Sequence, residues 1–446
     1  MASTTDDLTR QSATQLAQLI RDRRVSSREV VEAHLARIDE RNGELNAVRV
    51  VLAEQALEAA DAADAATPSG PLHGVPITVK ENVDVAGTAT THGVAAFAEA
   101  ITPTDAPSVD SLRKAGAIPI GRTNMPDFAL RWHTESGIAG ATINPHDPTL
   151  TPGGSSGGEA VAIATGMSPL GVGEDLGGSL RWPAQCCGIV SIRPTQGRVP
   201  NATAVGATEQ PLSLQLMDVI GPMARHTADL RMALELMSAP SHRDPFHVPA
   251  PLAGPPAPKR VSLVLDPLNE GVDPAIVTSL ERAAKALAEA GYEVEEAEPP
   301  ALADAVELWA ALLVTDMRGM WPLIEPITSP GGRTFVGHVF EGTPPLDLAE
   351  YAQALIGRQR VARAWAEHQH ERPLILGPIS TQPPFPVGAD IESADSAMAI
   401  FRSLRLTVAV NLLGLPAAAV GGVQVIGPRY REDLCLDAAA AIERAG

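Results

Sequence analysis

One strand–helix–strand unit in the second half of the chain restricts the fold more than any other feature. Residues 261–265 form a short apolar run, which predicts a β-strand. Asp273 and Pro274 follow as an N-cap and a first-turn proline, and Gly291 supplies a stop signal for the helix that they begin. Residues 292–294 then start another strand. Because strands that alternate with helices build sheets covered by helices, this unit predicts an α/β fold.

Other segments carry signals of the same kind. Ser26 and Glu29 have the spacing of a capping box at the start of a helix. Residues 238–260 are rich in Pro and Ala, which predicts a surface connection. The remaining predicted elements are helices within 11–65, one of them over 48–66, strands over 75–79, 117–120 and 168–172, a small-residue helix start over 159–166, an apolar Gly-rich segment over 406–426 and a final helix over 434–443.

The charge balance of the chain bears on its partners. Its 446 residues include 34 basic and 53 acidic side chains, for a formal net charge of −19. This excess of acid argues against a nucleic acid or an anionic membrane as the main partner. Apolar runs stay below the roughly 18 residues of a membrane-spanning helix, and residues 1–10 hold no apolar signal core. Three cysteines, two of them adjacent, form no disulfide framework. We therefore expect a cytoplasmic protein, and homodimer formation stays open.

The first candidate for chemistry is a lysine at the end of a predicted strand. Lys80 directly follows the alternating run of residues 75–79, which places it near the interior. Burial disfavours the ammonium form and lowers the pKa of a lysine, so that a neutral amine can act as a base. A strand-end lysine can also extend its charged end to solvent. Position alone does not separate these two interpretations.

The second candidate is a glycine- and serine-rich loop over residues 152–158. Its glycines permit backbone conformations that other residues avoid, and Ser155 and Ser156 supply hydroxyl groups that both donate and accept protons. Such a loop can equally be a flexible connection or an anion site at a helix N-terminus. Phosphate binding is disfavoured because the carboxylate of Glu159 follows the last glycine, where a phosphate-binding loop has lysine.

The third candidate is Ser179, which follows Gly177 and Gly178 in the segment 173–181. A glycine turn leaves backbone N–H groups exposed, and such groups stabilise an oxyanion in acyl transfer. The segment is not a Gly-x-Ser-x-Gly nucleophile elbow, because Arg181 stands at the last position. A plain turn between a strand and a helix would explain the same residues.

The three candidates explain one another. A serine is a weak nucleophile until a base takes its proton, a lysine amine can be that base, and a second serine can relay the proton. His73 and His92 lie near the motifs, so spacing alone does not exclude a Ser–His–Asp triad. The histidines and cysteines lack the spacing of a metal site, and we expect neither a metal nor a cofactor.

These motifs, in this order, resemble the amidase signature family. Lys80 and Ser155 are 75 positions apart (155 − 80) and Ser155 and Ser179 are 24 apart (179 − 155), intervals similar to those of the family. The resemblance covers nearly the whole chain and is strongest over 70–230. It is carried by residues 74–80, 121–126, 144–145, 152–158, 175–181, 183–184, 187–188, 194–199, 221–225 and 426–428.

The resemblance implies a fold and a set of roles. It implies one amidase domain over 1–446, with a large mixed β-sheet flanked by helices on both faces. Within it, 70–230 would be the signature core, 238–260 the surface connection, and 261–446 the second half of the sheet with the pocket helices. The implied catalytic residues are Ser179 as nucleophile, Ser155 after a cis peptide bond as relay and Lys80 as base. The implied oxyanion hole consists of the N–H groups of Leu176, Gly177, Gly178 and Ser179, with Ser156, Asp175 and Arg181 in support.

Two departures from the family pattern bear on the substrate. Glu174 replaces the usual Thr or Ser, and Trp182 replaces an aliphatic residue. Together with Phe128 and Trp132 they are the candidate pocket residues, although aromatic side chains here can also be ordinary core. Trp309, Met317, Met320 and Trp321 are further candidates for the opposite wall, and Arg131 or His133 for a substrate carboxylate.

We therefore predict an amidase that hydrolyses a carbon–nitrogen bond of a small-molecule amide through an acyl-enzyme on Ser179. One alternative is the glutaminase (A) subunit of an aminoacyl-tRNA amidotransferase, which works with partner proteins. Another is a non-enzymatic ligand-binding protein with this fold. The presence of Lys80, Ser155 and Ser179 argues against a decayed site.

Overall fold

A β-sheet runs through the whole fold. The computed structural model describes residues 5–204 and 209–446, so the first four residues of the polar N-terminus lie outside the described residues. The strands are β1 (Val48–Val51), β2 (Pro76–Lys80), β3 (Ile118–Thr123), β4 (Glu135–Ser136), β5 (Gly140–Ala141), β6 (Leu170–Glu174), β7 (Val190–Arg193), β8 (Ile220–Ala224), β9 (Arg260–Leu263), β10 (Glu293–Glu296), β11 (Leu374–Pro378), β12 (Ala417–Val420) and β13 (Val423–Ile426).

Helices make up most of the remaining regular structure. They are α1 (Thr5–Arg10), α2 (Ala13–Arg21), α3 (Ser27–Leu45), α4 (Ala53–Ala65), α5 (Pro107–Lys114), α6 (Gly157–Ala164), α7 (Arg181–Cys187), α8 (Leu212–Met217), α9 (Thr227–Met237), α10 (Pro274–Glu289), α11 (Leu302–Ile324), α12 (Pro330–Gly342), α13 (Leu348–Glu371), α14 (Ala394–Ser403), α15 (Arg405–Leu413) and α16 (Glu432–Ala445).

Eleven strands of the described residues form one mixed sheet, in the order β1-β3-β2-β6-β8-β7-β12-β13-β11-β9-β10. β2 is parallel to both of its neighbours, β3 and β6, and β9 is parallel to β10 and β11. The other pairings in this sheet are antiparallel. The predicted α/β class and large mixed sheet are confirmed.

Helices cover both faces of the sheet because the strands alternate apolar side chains between the two faces. Val75, Ile77 and Val79 belong to the apolar core on one face, together with residues of α2, α5, α9, α10 and α16. Ile118 and Ile120 belong to the core on the other face, with residues of α3, α4, α6, α7, α11, α13 and α15. The result is a three-layer α/β/α arrangement.

Local sequence signals account for several element boundaries. The capping box is present at the start of α3, where the side chains of Ser26 and Glu29 each accept a backbone N–H of the other residue. The Asp273 side chain accepts the Ala275 N–H at 2.8 Å at the start of α10. β9, α10 and β10 form the predicted strand–helix–strand unit, with the two strands parallel. These predictions are confirmed.

The prediction of a helix over 48–66 is wrong for its first five residues, 48–52. Val48, Val50 and Val51 lie in an edge strand that pairs antiparallel with β3, and the helix begins only at Ala53. β-Branched side chains favour a pleated strand over a helix. The alanine-rich part of the segment forms α4, as expected from its composition.

Three neighbouring strands bring the candidate residues to one edge of the sheet. β2 and β6 are parallel, so both end at this edge, and β8 is antiparallel to β6 and therefore begins there. Lys80 is the last residue of β2 and Glu174 the last of β6. The carboxyl ends of strands in an open α/β sheet are the usual place for a ligand site.

The described residues contain neither a single membrane-spanning helix nor a cluster of metal ligands. No single helix among them is long and apolar enough to cross a membrane, although the bent pair α14 and α15 passes the same test together. No group of three or more His, Cys, Asp or Glu side chains within the described ranges has the arrangement of a metal site.

Candidate active site

Three different elements bring Lys80, Ser155 and Ser179 to the same edge of the sheet. Lys80 ends β2, Ser155 lies in the loop just before α6, and Ser179 lies in the loop between β6 and α7. Their side chains are 0%, 1% and 7% exposed. A lysine and two hydroxyl groups are therefore withdrawn from bulk water, and only Ser179 lines an open pocket.

Lys80 has a hydroxyl group rather than a carboxylate as its hydrogen-bond partner. Its Nζ atom lies 2.7 Å from Ser155 Oγ. Burial lowers the pKa of the Lys80 amine, and the nearby carboxylates of Glu174 and Asp218 oppose this effect. A buried lysine without a bonded counter-ion readily loses its proton, which is what a base requires.

The backbone of the Gly/Ser loop presents Ser155 to the lysine. The peptide bond between Gly154 and Ser155 is cis, as the family resemblance implied. A side chain at Gly154 would collide with the backbone of residues 131–133, with the nearest atom 2.6 Å from its Cβ. Ser156, the next residue, donates its hydroxyl to the Glu174 carbonyl oxygen at 3.3 Å and so ties this loop to β6.

Asp175 holds the loop that carries Ser179. Its carboxylate accepts the Gly178 N–H at 2.8 Å and the Leu180 N–H at 3.1 Å. The same carboxylate accepts two hydrogen bonds from Arg181, at 3.1 and 3.0 Å. Burial alone would raise the pKa of Asp175, but the charge and hydrogen bonds of Arg181 outweigh it and keep that pKa well below its ordinary value.

Residues distant in sequence complete this anchor. Asn411 donates to the Asp175 carboxylate at 2.8 Å, Arg193 donates to its carbonyl oxygen at 2.6 Å, and Arg181 also donates to Gln424 at 2.8 Å. Asp175 and Arg181 were predicted from the sequence, whereas Asn411, Arg193 and Gln424 were not. Asn411 carries a signal that could have identified it, since it is a polar residue within the apolar run of residues 408–413 in α15, and a buried polar group needs a hydrogen-bond partner.

The family resemblance implied four backbone N–H donors for the oxyanion hole, and one of the four already has an acceptor in the structure. Gly178 donates its N–H to Asp175, so that group is already bonded. Within the described residues, the N–H groups of Leu176, Gly177 and Ser179 have no acceptor. Gly178 has a φ of +97°, which favours glycine and turns the chain so that these three donors lie before and at the serine.

An apolar pocket opens in front of Ser179. It contains about 1010 Å³ of empty space, counted with the solvent at its mouth, and it extends from the loop of residues 176–179 toward α11, α12 and α14. Its apolar lining includes Phe128, Leu130, Trp132, Leu176, Leu214, Trp309, Leu313, Val314, Met317, Met320, Ile324, Phe335, Val339, Met398 and Phe401.

Four aromatic side chains form the wall nearest to the loop. Trp309 and Phe401 stack with ring centroids 5.7 Å apart, and Trp132 stacks on Phe401 at 6.2 Å and meets Phe335 edge-to-face at 6.0 Å. We call Trp132, Trp309, Phe335 and Phe401 the aromatic wall. Phe335 and Phe401 were not among the predicted pocket residues, because they lie more than 150 residues after Ser179 and carry no local signal.

Two members of the aromatic wall also bind the loop backbone. The Trp132 Nε1–H group donates to the Gly177 carbonyl oxygen at 2.8 Å. The Trp309 Nε1–H group donates to the Leu176 carbonyl oxygen at 3.2 Å. Because a peptide carbonyl points roughly opposite to the N–H of the same peptide unit, these bonds fix the direction of the N–H groups of Gly177 and Gly178.

Two of the four residues suggested for the pocket lie elsewhere in the described structure. Phe128 and Trp132 line the pocket, whereas Trp182 and Glu174 do not. Trp182 is 1% exposed and stacks behind the wall on Phe385, with centroids 5.9 Å apart. Glu174 accepts a hydrogen bond from Asn82 on the lysine side of the loop. Of the additional candidates, Trp309, Met317 and Met320 line the pocket, and Trp321 packs on Phe340.

The cationic candidates for a substrate carboxylate already have partners. The Arg131 guanidinium is 1% exposed, binds Asp390 through two nitrogens at 2.8 and 3.0 Å, and reaches Glu135 at 2.7 Å. Burial lowers the pKa of His133, which favours its neutral form, and its ring bonds to Thr151 at 3.0 Å. Neither side chain is a free cation at the pocket.

Neither histidine near the motifs is bonded to a candidate serine. His73 precedes β2, at the opposite edge of the sheet from Lys80, and its ring bonds to the backbone of Ser69 and Ala63. The ring of His92 stacks on Phe128, with centroids 6.3 Å apart, and has no hydrogen bond to Ser155 or Ser179 in the described residues.

The chain is similar to proteins of known function and to solved structures. The model of the Amidase family matches residues 29–436. The chain is 43% identical to an indoleacetamide hydrolase of Bradyrhizobium diazoefficiens, over 98% of this chain and 86% of that protein. It is 32% identical to the (A) subunit of the glutamyl-tRNA(Gln) amidotransferase of Deinococcus radiodurans, over 98% and 97%. A solved structure of 6-aminohexanoate cyclic dimer hydrolase superposes with a TM-score of 0.84 at 28% identity, over 98% and 97% of the two chains.

Proposed function

Because this chain belongs to the amidase signature family and is an amide hydrolase, we propose that it cleaves the primary amide of an arylacetamide, with indoleacetamide as the type substrate. The aromatic wall carries this proposal, since it places four aromatic rings, three of them stacked and one edge-to-face, in the pocket in front of Ser179. Offset stacking and burial of an aryl ring against such a wall favour a flat apolar substrate. The similarity to an indoleacetamide hydrolase supports the same choice.

The catalytic roles rest on the hydrogen bond between Lys80 and Ser155 and on the position of Ser179 at the same edge of the sheet. Neutral Lys80 takes the proton of Ser155, and Ser155 takes the proton of Ser179. The freed Ser179 Oγ bonds to the amide carbon, and the electron pair of the C=O bond moves to the oxygen. This oxyanion is held by the unpaired N–H groups of Leu176, Gly177 and Ser179. Each such donor contributes about 3 kcal/mol to the lowering of a barrier of this type.

Collapse of the intermediate breaks the carbon–nitrogen bond. The proton held by Lys80 returns through Ser155 to the departing nitrogen, which leaves as ammonia. An acyl ester on Ser179 remains. A water molecule then gives its proton to the same relay, attacks the ester carbon, and releases the arylacetic acid with the hydroxyl group of Ser179 restored.

The glutaminase alternative is disfavoured by the charges around the pocket. Glutamine carries an α-carboxylate and an α-ammonium group, and both need charged or polar partners when they leave water. Arg131 is held by Asp390 and Glu135, and the pocket lining is mostly apolar. The amidotransferase relative is also the less similar one, at 32% identity against 43%.

Assays of the purified chain with two substrates test the proposal. We expect indoleacetamide to be hydrolysed without partner proteins, glutamine to be hydrolysed at least about 100-fold less well, and a fluorophosphonate to label Ser179. Ser179→Ala should abolish turnover and labelling with an unchanged melting temperature, whereas Ser111→Ala on α5 should change neither. Preference for glutamine would favour the amidotransferase function, and activity in Ser179→Ala would exclude the proposed nucleophile.

A further inference from the structure

Two acidic side chains lie together on the lysine side of the candidate site. Glu174 ends β6, and Asp218 lies two residues before β8. β6 and β8 are antiparallel, with Glu174 opposite Ile220, and the Asp175 N–H donates to the Val219 carbonyl oxygen at 2.8 Å. This pairing places both carboxyl groups at the edge of the sheet where β2 ends in Lys80.

The Asp218 carboxyl group is buried almost without partners. It is 7% exposed, and within the described residues neither of its oxygens accepts a hydrogen bond from a donor group. The Glu174 carboxylate faces it closely enough for a hydrogen bond when one of the two groups is protonated, and the charges of Lys80 and Arg193 also act on it. Two ionised carboxylates in such contact repel each other, and a bare buried carboxylate is strongly disfavoured. One proton on Asp218, donated to Glu174, removes both costs.

The environment of the two groups assigns the proton to Asp218. Burial raises the pKa of Asp218 well above its ordinary value, and the charge and hydrogen bond of Glu174 raise it further. Glu174 has a separate partner, because the Asn82 amide donates to it. Asn82 follows Lys80 by two residues, so this bond also ties Glu174 to the end of β2.

We propose that Glu174 and Asp218 act as a carboxyl pair that shares one proton and places a single negative charge beside Lys80, positioning the pH range in which the serine relay works. This inference rests on the proposed function, in which Lys80 is the base. Glu174 is then a positioning residue, since it acts through Lys80 and does not line the substrate pocket.

The sign of the effect on Lys80 follows from its surroundings. Burial lowers the pKa of the Lys80 amine, and negative charge on Glu174 is the leading opposing effect. The pair therefore keeps the amine from losing its proton too easily, so that protonated Lys80 can exist after the first step and return the proton. The other charged or titratable groups around Lys80 and the pair include Asp175, Glu159, Arg193, His92 and Arg122, whose guanidinium donates to the Lys80 carbonyl oxygen.

These other groups stay the same when only the pair is changed, so their effects on Lys80 cancel in a comparison of variants, including that of Glu159, which titrates in the same pH range. Asp175 is neutralised by Arg181 and by the neighbouring Arg193. Burial raises the pKa of Glu159 to about 7, although Thr78 and Thr123 donate hydrogen bonds to it. Burial lowers the pKa of His92, which keeps its ring neutral near pH 7.

The pH profile of Ser179 phosphonylation tests the proposal without a known substrate. The rate constant for reaction with a fluorophosphonate is measured between pH 5 and 10 for three proteins. Asp218→Asn keeps the shape, the hydrogen bond and the charge on Glu174, so its acidic limb should stay within about 0.3 pH units of the wild type. The double variant Glu174→Gln/Asp218→Asn removes the charge, so its acidic limb should move about one pH unit or more toward acid.

The outcomes separate this proposal from the proposed function. Equal shifts in the two variants, or no shift in the double variant, would overturn the carboxyl pair. A wild-type protein that reacts with neither amide nor fluorophosphonate would instead overturn the proposed function. A second measurement needs only Asp218→Asn: the infrared C=O band of protonated buried carboxyl groups at pH 7 should be weaker in this variant than in the wild type, because Glu159 contributes to the band of both proteins. Equal bands in the two proteins would also refute the pair.

Discussion

The two sides of the loop that carries Ser179 are built in opposite ways. Behind the loop, Asp175 and Arg181 are 0% exposed and bind each other, with further bonds to Asn411. In front of the loop, the pocket is walled by apolar and aromatic side chains. The polar side fixes where the backbone N–H groups of the loop lie, and the apolar side decides which acyl group reaches them.

This difference predicts that substitutions on the two sides of the loop have effects of different size. A buried ion pair is stable only when every partner is present, because removal of one member leaves an uncompensated charge in the interior. An apolar wall depends on contact area, which decreases gradually as side chains become smaller. We therefore expect substitutions behind the loop to cause large losses and substitutions in front of it to shift substrate preference.

The largest expected effect is on the lysine, on the polar side. Lys80→Met keeps the approximate shape of the side chain but removes the base, so kcat should fall about 10³- to 10⁴-fold. Stability should not fall, because an unbranched apolar side chain replaces a buried amine whose hydrogen-bond partner is a serine hydroxyl. Steady-state kinetics and thermal unfolding measure the two effects. A strongly destabilised but active variant would mean that Lys80 is structural.

The next largest effect should come from the anchor of the loop. Asp175→Ala leaves the Arg181 guanidinium buried without its carboxylate, and the free energy of unfolding should fall by about 3 to 5 kcal/mol. Denaturant titration measures this loss. Asp147→Ala is the control, since that carboxylate lies at the surface and bonds only to Thr149. Similar losses in both variants would contradict the comparison.

The same anchor predicts a pH dependence of stability. Arg181 holds the pKa of Asp175 below its ordinary value, so the contribution of this group is complete above the ordinary carboxyl pKa of about 4 and is lost as the pH falls below it. Between pH 6 and pH 3 the wild type should therefore lose more stability than Asp175→Ala. Parallel curves would show that Asp175 does not contribute to acid sensitivity.

Much of the polar side could be predicted from the sequence, and little of the apolar side. Lys80, Ser155, Asp175 and Ser179 all lie in short motifs whose glycines and order carry information locally. Phe335 and Phe401 come from α12 and α14, and only the packing of these two helices on each other, with Phe401 stacked on Trp309 of α11, brings them to the pocket. The sequence also could not predict which backbone N–H groups of the loop are free for an oxyanion, because this depends on which of them the Asp175 carboxylate binds.

The smallest expected effects are on the aromatic wall, and they distinguish its two roles. Trp309→Phe keeps a ring but removes the hydrogen bond to the Leu176 carbonyl oxygen, so kcat should fall about tenfold, as expected for the loss of one hydrogen bond. Phe401→Leu is the matched variant, since it removes a stacked ring that makes no hydrogen bond to the loop. It should raise KM for indoleacetamide several-fold and leave kcat nearly unchanged.

A small aliphatic amide sharpens this last contrast. Propionamide has no ring to stack on Phe401, so Phe401→Leu should leave its hydrolysis nearly unchanged, whereas Trp309→Phe should slow it as much as it slows indoleacetamide. The loop geometry is shared by all substrates, but the stacking surface is used only by aryl ones. Equal responses of both substrates to both variants would mean that the wall acts only as packing and that the polar and apolar sides of the loop are not separable.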